Sequence, residues 1–245
     1  MVVNSGNLSP GPTVTSQWHT VGGWNGSASV PIELKVSHGL QTAKGNNRMV
    51  VVGITYTDTI LTTPPIAAVT YDTQPMQLAV QLVDAKKQSY AGIFYILDAA
   101  LPAGTGSKDV VATYALPGYG WGHAGIDVME LKNTMQVAPI ATGGSVLLPT
   151  DPGCGGSPSR SATVTFTQPG SLVYGVLGAR GASAATLTAA TGLVETWNQL
   201  QSTPDKMIGA AAYVFDGDNR TIAWNVTNCF NSATAIVAIK RLSAN

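Results

Sequence analysis

The feature that most constrains this chain is its punctuation. Short runs rich in Val, Ile, Thr, Tyr and Ala succeed one another at spacings of about 8–15 residues, and Gly, Pro, Asn or Asp falls between them. The runs are Ile32–Val36, Met49–Thr57, Ile66–Tyr71, Met76–Val83, Tyr90–Leu97 and Lys108–Ala115 in the first part of the chain. Gly125–Leu131, Ala162–Thr167, Leu172–Ala179, Leu193–Asn198, Met207–Phe215, Thr221–Val226 and Ala233–Arg241 follow. No window holds a 3.6-residue apolar stripe between caps, and Thr63-Pro-Pro65 and Pro102-Ala-Gly-Thr-Gly106 would break a helix. Residues 182–191 are the one plausible helical turn, which their β-branched threonines weaken. A chain of this kind folds as stacked β-sheets.

Two kinds of strand are distinguishable. In Thr163-Val-Thr-Phe-Thr167, and again in Ile222, Trp224 and Val226, apolar residues take one face and Thr, Ala or Asn the other, as in a half-buried antiparallel strand. Met49-Val-Val-Val-Gly-Ile54 is apolar on both faces and reads as a central strand. The expected fold is all-β, an antiparallel two-sheet sandwich of jelly-roll type. Residues 1–28, rich in Gly, Pro, Ser and Asn, form an N-terminal extension with one strand-like piece, Thr13–Val21; residues 29–245 form the sandwich domain. Val14, Gln17, Trp18 and Val21 make that piece a candidate assembly segment, either adding to a neighbour's sheet edge or serving as an edge strand of its own sandwich.

Composition narrows the function classes. Of 245 residues, 13 are Lys or Arg and 13 are Asp or Glu, so the formal net charge is zero and only 11% are charged, against about 25% in an ordinary soluble domain. A nucleic-acid binder needs a basic excess, and there is none. With 44% hydrophobic residues the chain is not of disordered type, and no apolar run is long enough to span a membrane. A neutral surface of Thr, Ser, Gly and Ala favours association, as in extracellular assemblies and capsids, so copies of the chain itself are the expected partner. The N-terminus lacks the basic and apolar regions of a secretory signal; either a signal has been removed or the protein reaches an extracellular or virion surface without one. Asn7, Asn25, Asn219 and Asn225 begin glycosylation sequons, which arise by chance in a chain so rich in Thr and Ser.

Chemistry-bearing motifs are sparse. The only histidines are His19, His38 and His123, the only glutamates Glu33, Glu130 and Glu195, and no nucleophile elbow, zinc motif or phosphate loop occurs. The expectation is a protein without enzymatic activity and without a cofactor. Leu116-Pro-Gly-Tyr-Gly-Trp-Gly-His-Ala-Gly125 interleaves aromatics with glycines. Tyr119, Trp121 and His123 there either stack on a sugar or partner, which makes glycans a second partner class, or fold down over one end of the sandwich. Asp216 and Asp218 are a weak calcium candidate within what reads as a hairpin turn, and no metal is expected.

From residue 29 onward the chain resembles a jelly-roll, lectin-like β-sandwich module of bacterial, archaeal and phage surface proteins. The residues that carry the likeness are Val36-Ser-His38, Asn47–Thr55, Ala68-Val-Thr-Tyr-Asp-Thr-Gln-Pro-Met76, Ile93–Leu97, Leu101-Pro-Ala-Gly-Thr105 and Ala233–Lys240. The resemblance implies display, adhesion or assembly, with no catalytic constellation and no functional residue to carry over. The expected function is a structural subunit of a filament, sheath or fibre, with a carbohydrate-binding or adhesion module as the alternative.

Cys154, in a Gly/Pro/Ser loop, and Cys229 form either a disulfide or two thiols kept reduced. A bridge would close a loop of about 75 residues and contribute on the order of 4 kcal/mol in the chain-entropy model. Non-reducing mass spectrometry is expected to find Cys154 and Cys229 joined in the protein from an oxidising compartment; two alkylatable thiols would overturn that.

Overall fold

The computed structural model describes residues 10–24, 32–58, 61, 65–115, 122–147, 159–165, 170–181, 187–201, 206–215, 219–226 and 231–242. All regular structure among them is strand. The first part of the chain forms β1 (Thr13–Trp24), β2 (Ile32–Leu40), β3 (Met49–Thr57), β4 (Ile66–Tyr71), β5 (Gln74–Pro75), β6 (Gln77–Val83), β7 (Ser89–Leu97), β8 (Gly106–Tyr114) and β9 (Gly122–Lys132). The second forms β10 (Ile140–Leu147), β11 (Ser159–Thr165), β12 (Leu172–Gly181), β13 (Leu187–Ala189), β14 (Val194–Gln201), β15 (Lys206–Phe215), β16 (Asn219–Val226) and β17 (Asn231–Ile239). No helix among the described residues is long and apolar enough to cross a membrane.

The strands make four antiparallel sheets rather than the two expected from the sequence. An inner sheet of order β1-β9-β3-β7-β6 lies against an outer sheet of order β2-β8-β4-β5. A second inner sheet, β10-β17-β12-β15-β14, lies against the outer sheet β11-β16-β13. The two inner sheets pack on each other, so the layers run outer, inner, inner, outer. The reason is visible in β3 and β17, buried along their whole lengths. A two-layer sandwich covers one face of each strand, whereas strands apolar on both faces need a layer on either side.

Three cores result. Val50, Val52, Ile54 and Val128 meet Val36, Val110 and Tyr114 of the outer sheet. Met49, Val51, Ile93 and Met129, on the opposite face, meet Leu172, Tyr174, Val176 and Val237 of the second inner sheet. Val173, Leu177 and Ile236 meet Ile222 and Trp224 beyond it. The outer strands alternate: Val69 and Tyr71 of β4 are buried while Ala67 and Ala68 are exposed.

The two halves repeat one arrangement. In each inner sheet the first strand lies beside the last, then the third, and the same order holds through to the far edge. A bulge recurs at the same place: Gln77↔Tyr95 precedes a slip between Leu78 and Val80, and Val194↔Tyr213 precedes one between Glu195 and Trp197. Residues 133–139 connect the halves, tied down by Met135 N–H to Lys240 O (2.9 Å), Leu242 N–H to Asn133 O (3.2 Å) and the Thr134↔Arg241 bridge.

Thr13–Trp24 belongs to the chain's own sheet, as an edge strand running from Thr13↔Lys132 to Trp24↔Gly122. One end of the first half is fastened by Arg48, which is fully buried. Its Nε donates to Asp98 Oδ1 (2.6 Å), Nη1 to Thr42 O (2.9 Å) and Nη2 to Pro102 O (2.8 Å). Each guanidinium nitrogen thus has an acceptor, which a charge sealed from water requires.

The inner sheets approach closely because glycine stands at the crossing points. A Cβ at Gly53 would fall into the Tyr174 hydroxyl and Val176, and one at Gly178 into the main-chain carbonyl of Tyr90. A side chain can rotate away from such a clash, but a strand carbonyl cannot. Gly178→Ala is therefore expected to cost about 3 kcal/mol, at the upper end of ordinary overpacking. Gly104→Ala, which faces open space, should stay within about 0.5 kcal/mol. Urea unfolding of both variants checks this; equal midpoints would contradict the close approach.

Candidate functional site

Among the described residues, three polar assemblies and a cleft bring titratable or aromatic side chains of several strands together. The first lies between β1, β2, β4 and β9. His38, fully buried, has Nε2 2.8 Å from Ser16 Oγ and Nδ1 3.1 Å from the Tyr71 hydroxyl. Ser16 Oγ is also 3.2 Å from Glu130 Oε2, and the Glu130 carboxylate accepts from Gln41 N (2.8 Å) and Thr42 N (3.0 Å). A hydroxyl has one hydrogen, and the carboxylate is its strongest acceptor here. With Ser16 donating to Glu130, and Gly39 O at 3.1 Å as its competing acceptor, the proton order runs from Tyr71 O–H to His38 Nδ1, from His38 Nε2–H to Ser16, and from Ser16 to Glu130. In that order His38 donates to Ser16 rather than taking its proton, the reverse of a nucleophile-and-base pair. Burial lowers the His38 pKa from 6.5 to about 4, with the Glu130 charge opposing. Burial likewise raises that of Tyr71, which stays a donor.

The second assembly joins the halves. Asp127 of β9 is buried, and its Oδ2 accepts from Tyr174 of β12 (2.8 Å) and Thr196 of β14 (2.9 Å). Its Oδ1 has no hydrogen-bond partner. Desolvation raises the Asp127 pKa to about 6, against the lowering effect of the two hydroxyls. The third is Arg48 with Asp98, described above.

The cleft opens between the two inner sheets, where Trp197 of β14 meets His19 of β1. The space within it is about 20 Å³, little more than one water molecule needs, and Val21, Gly22, Thr55, Thr57, His123, Ala124, Gly125, Trp197, Gln199 and Gly209 line it. Its wall is the Trp197 indole, 5% exposed, inserted between Gly125 and Gly209, where a Cβ on either glycine would strike the ring. The His19 ring stacks on that indole with centroids 6.4 Å apart. Trp197 Nε1 is sealed from solvent without a hydrogen-bond partner.

The residues singled out in the sequence are distributed as follows. His123 lines the cleft, whereas Tyr119 and Trp121 lie outside the described residues, as do Cys154, Cys229, Asp216 and Asp218. On β1, Val14 and Val21 pack into the core between the inner sheets, Gln17 has a buried Nε2 without a partner, and Trp18 is 54% exposed. Among the described residues no three His, Cys, Asp or Glu side chains gather as metal ligands. Nothing in the local sequence marks Trp197 or Gln199 as site residues. The one available signal was Asp127 and Glu130 interrupting Gly125–Leu131, an otherwise apolar run. Compared with protein-family models, with curated proteins and with solved structures, the chain has no match in any of the three.

The two buried titrating groups have opposite pH signatures. Below its ordinary pKa the unfolded chain protonates His38 while the folded one does not, so stability falls as pH drops from 6.5 to about 4. The folded chain protonates Asp127 first, so stability rises as pH drops from about 6 to 3.8. Each contribution is limited to about 3 kcal/mol. Asp127→Asn is expected to steepen the acid loss, and His38→Gln to remove it, in urea melts across that range. Parallel profiles for the two variants would refute this assignment.

Proposed function

We propose that the chain is a non-enzymatic structural subunit of an extracellular or virion surface assembly, associating with copies of itself through its sheet edges. The observation that carries this reading is β1. Among the described residues it pairs only with β9, so its outer edge offers main-chain donors and acceptors, and beside them stands Trp18, 54% exposed. An unpaired edge with a large exposed apolar side chain is a template for pairing with another chain. Zero net charge removes the repulsion that would oppose it.

Other features support the same reading. Leu78 on edge strand β6 and Val194 on edge strand β14 are also exposed. His38 and Glu130, which could do acid–base work in a cleft, are instead tied to one another's partners and to the main chain. The sheet order of each half, with first and last strands adjacent, favours a sandwich of jelly-roll type, an architecture common in capsids and lectins.

Negative-stain microscopy with mass photometry of the full chain is expected to show filaments, rings or shells. Trp18→Asp, which puts a charge on the edge while leaving the cores untouched, should yield monomers. Monodisperse wild-type monomers at high concentration, or unaltered assembly of Trp18→Asp, would overturn the reading.

A further inference from the structure

We propose that two copies of this chain pair β1 with β1, antiparallel across a twofold axis, with Trp18 opposite its own counterpart. This rests on the assembly reading above and specifies its first contact: the strand, its direction and its register. Among the described residues β1 is the longest edge strand of the four sheets, at 12 residues. It holds no Lys, Arg, Asp, Glu or Pro, the residues with which edge strands ordinarily block pairing. A twofold axis brings a charge near the same charge of the second copy, so a strand that pairs with itself must lack them. The neighbouring edge strands are less suited. On one side of β1, β2 carries Glu33 and Lys35. On the other, β14 carries Glu195, whose carboxylate is turned to Ala189 N (3.3 Å) and Asn198 Nδ2 (3.2 Å).

Direction follows from the sheet. Its strands alternate, so β1 and β6, at the two edges, run the same way. Continuing the sheet from β1 into β6 of another copy would make a parallel pair. A twofold perpendicular to the sheet makes β1 with β1 antiparallel, the more stable arrangement per residue. Register follows from the side chains. Residues directly opposite in an antiparallel pair point to one face, and this axis leaves the faces unchanged, so each residue must meet one of its own parity. Beyond the bulge between Val14 and Ser16, Ser16 faces the outer sheet, with Oγ 2.8 Å from His38 Nε2. His19 faces the second inner sheet, where it stacks on Trp197. Trp18 shares the face of Ser16 and stands at the middle of β1. An axis there opposes Trp18 to itself, Gln17 to His19 and Ser16 to Thr20, and overlaps the two strands almost end to end. The two indoles, each 54% exposed in the single chain, then cover one another with Cβ atoms about 5 Å apart. Such a pair is closed, so growth beyond the dimer uses other edges, such as β6 with its exposed Leu78.

The test uses self-repulsion and its relief in the full-length chain. Position 18 meets position 18, so Trp18→Asp and Trp18→Lys should each repel their own copies, whereas the two variants mixed should attract. Sedimentation equilibrium is expected to find dimers, or assemblies built of them, for the wild type, and monomers for each variant alone. The dimer Kd should rise roughly a hundredfold in each variant, and dimers should return in the equimolar mixture. Their return also shows that both variants fold. Leu78→Asp, on the opposite edge, should leave the dimer intact. A wild type that assembles while the mixture stays monomeric overturns the twofold pairing and leaves the assembly reading standing. Association of Trp18→Asp with Leu78→Lys, and not with Trp18→Lys, would replace the twofold with head-to-tail pairing of β1 and β6. A wild type that is monomeric at every concentration overturns both readings.

Discussion

Everything in this structure depends on two antiparallel sheets being pressed together so that their central strands, β3 and β17 above all, are sealed from solvent on both faces. Antiparallel sheets ordinarily keep one face wet. Here each inner sheet has an outer sheet on one side and the other inner sheet on the second, and at Gly53, Gly125, Gly178 and Gly209 the approach leaves no room for a Cβ. Hydrophobic burial drives the stacking, and the glycines set its distance.

That enclosure governs the polar residues as well. A carboxylate or imidazole placed on an inner strand has no water to turn to, so its partners must come from the neighbouring layers. Glu130 finds main-chain N–H groups of the β2–β3 connection, and His38 finds Ser16 and Tyr71. Asp127 reaches hydroxyls on β12 and β14, which makes it a polar tie between the halves. The same enclosure moves the His38 and Asp127 pKa values in opposite directions on the pH axis, since desolvation favours whichever form is neutral.

The strands themselves were legible, because period-two alternation and two-sided apolar runs depend on local sequence alone. Met49–Ile54 announces a fully buried strand, and Ile222 with Trp224 announces a one-sided one. The repetition of the fold was not legible. Core positions demand only apolarity, so Met49 answers to Leu172 and Ile54 to Leu177, while Gly53 answers to Val176 and Thr55 to Gly178. Tyr95 and Tyr213, at equivalent points beside the shared bulge, are a rare retained identity. The cleft was hidden for a related reason. His123 stands out among glycines, but Thr57 reaches it only across the β3–β9 ladder, and Gln199 and Gly209 only once the two inner sheets meet.

The back-to-back arrangement also has a consequence for how the chain is made. Strands β1 to β9 are complete once Lys132 has been synthesised, yet Met49, Val51, Ile93 and Met129 then face water until β12, β15 and β17 exist to cover them. At ordinary elongation rates that interval lasts roughly 5–20 s, long compared with the folding of a small sandwich. The nascent first half thus spends its early life with an open apolar sheet, and β17, followed by the Lys240 and Leu242 that tie down the connection, is synthesised after every other described strand.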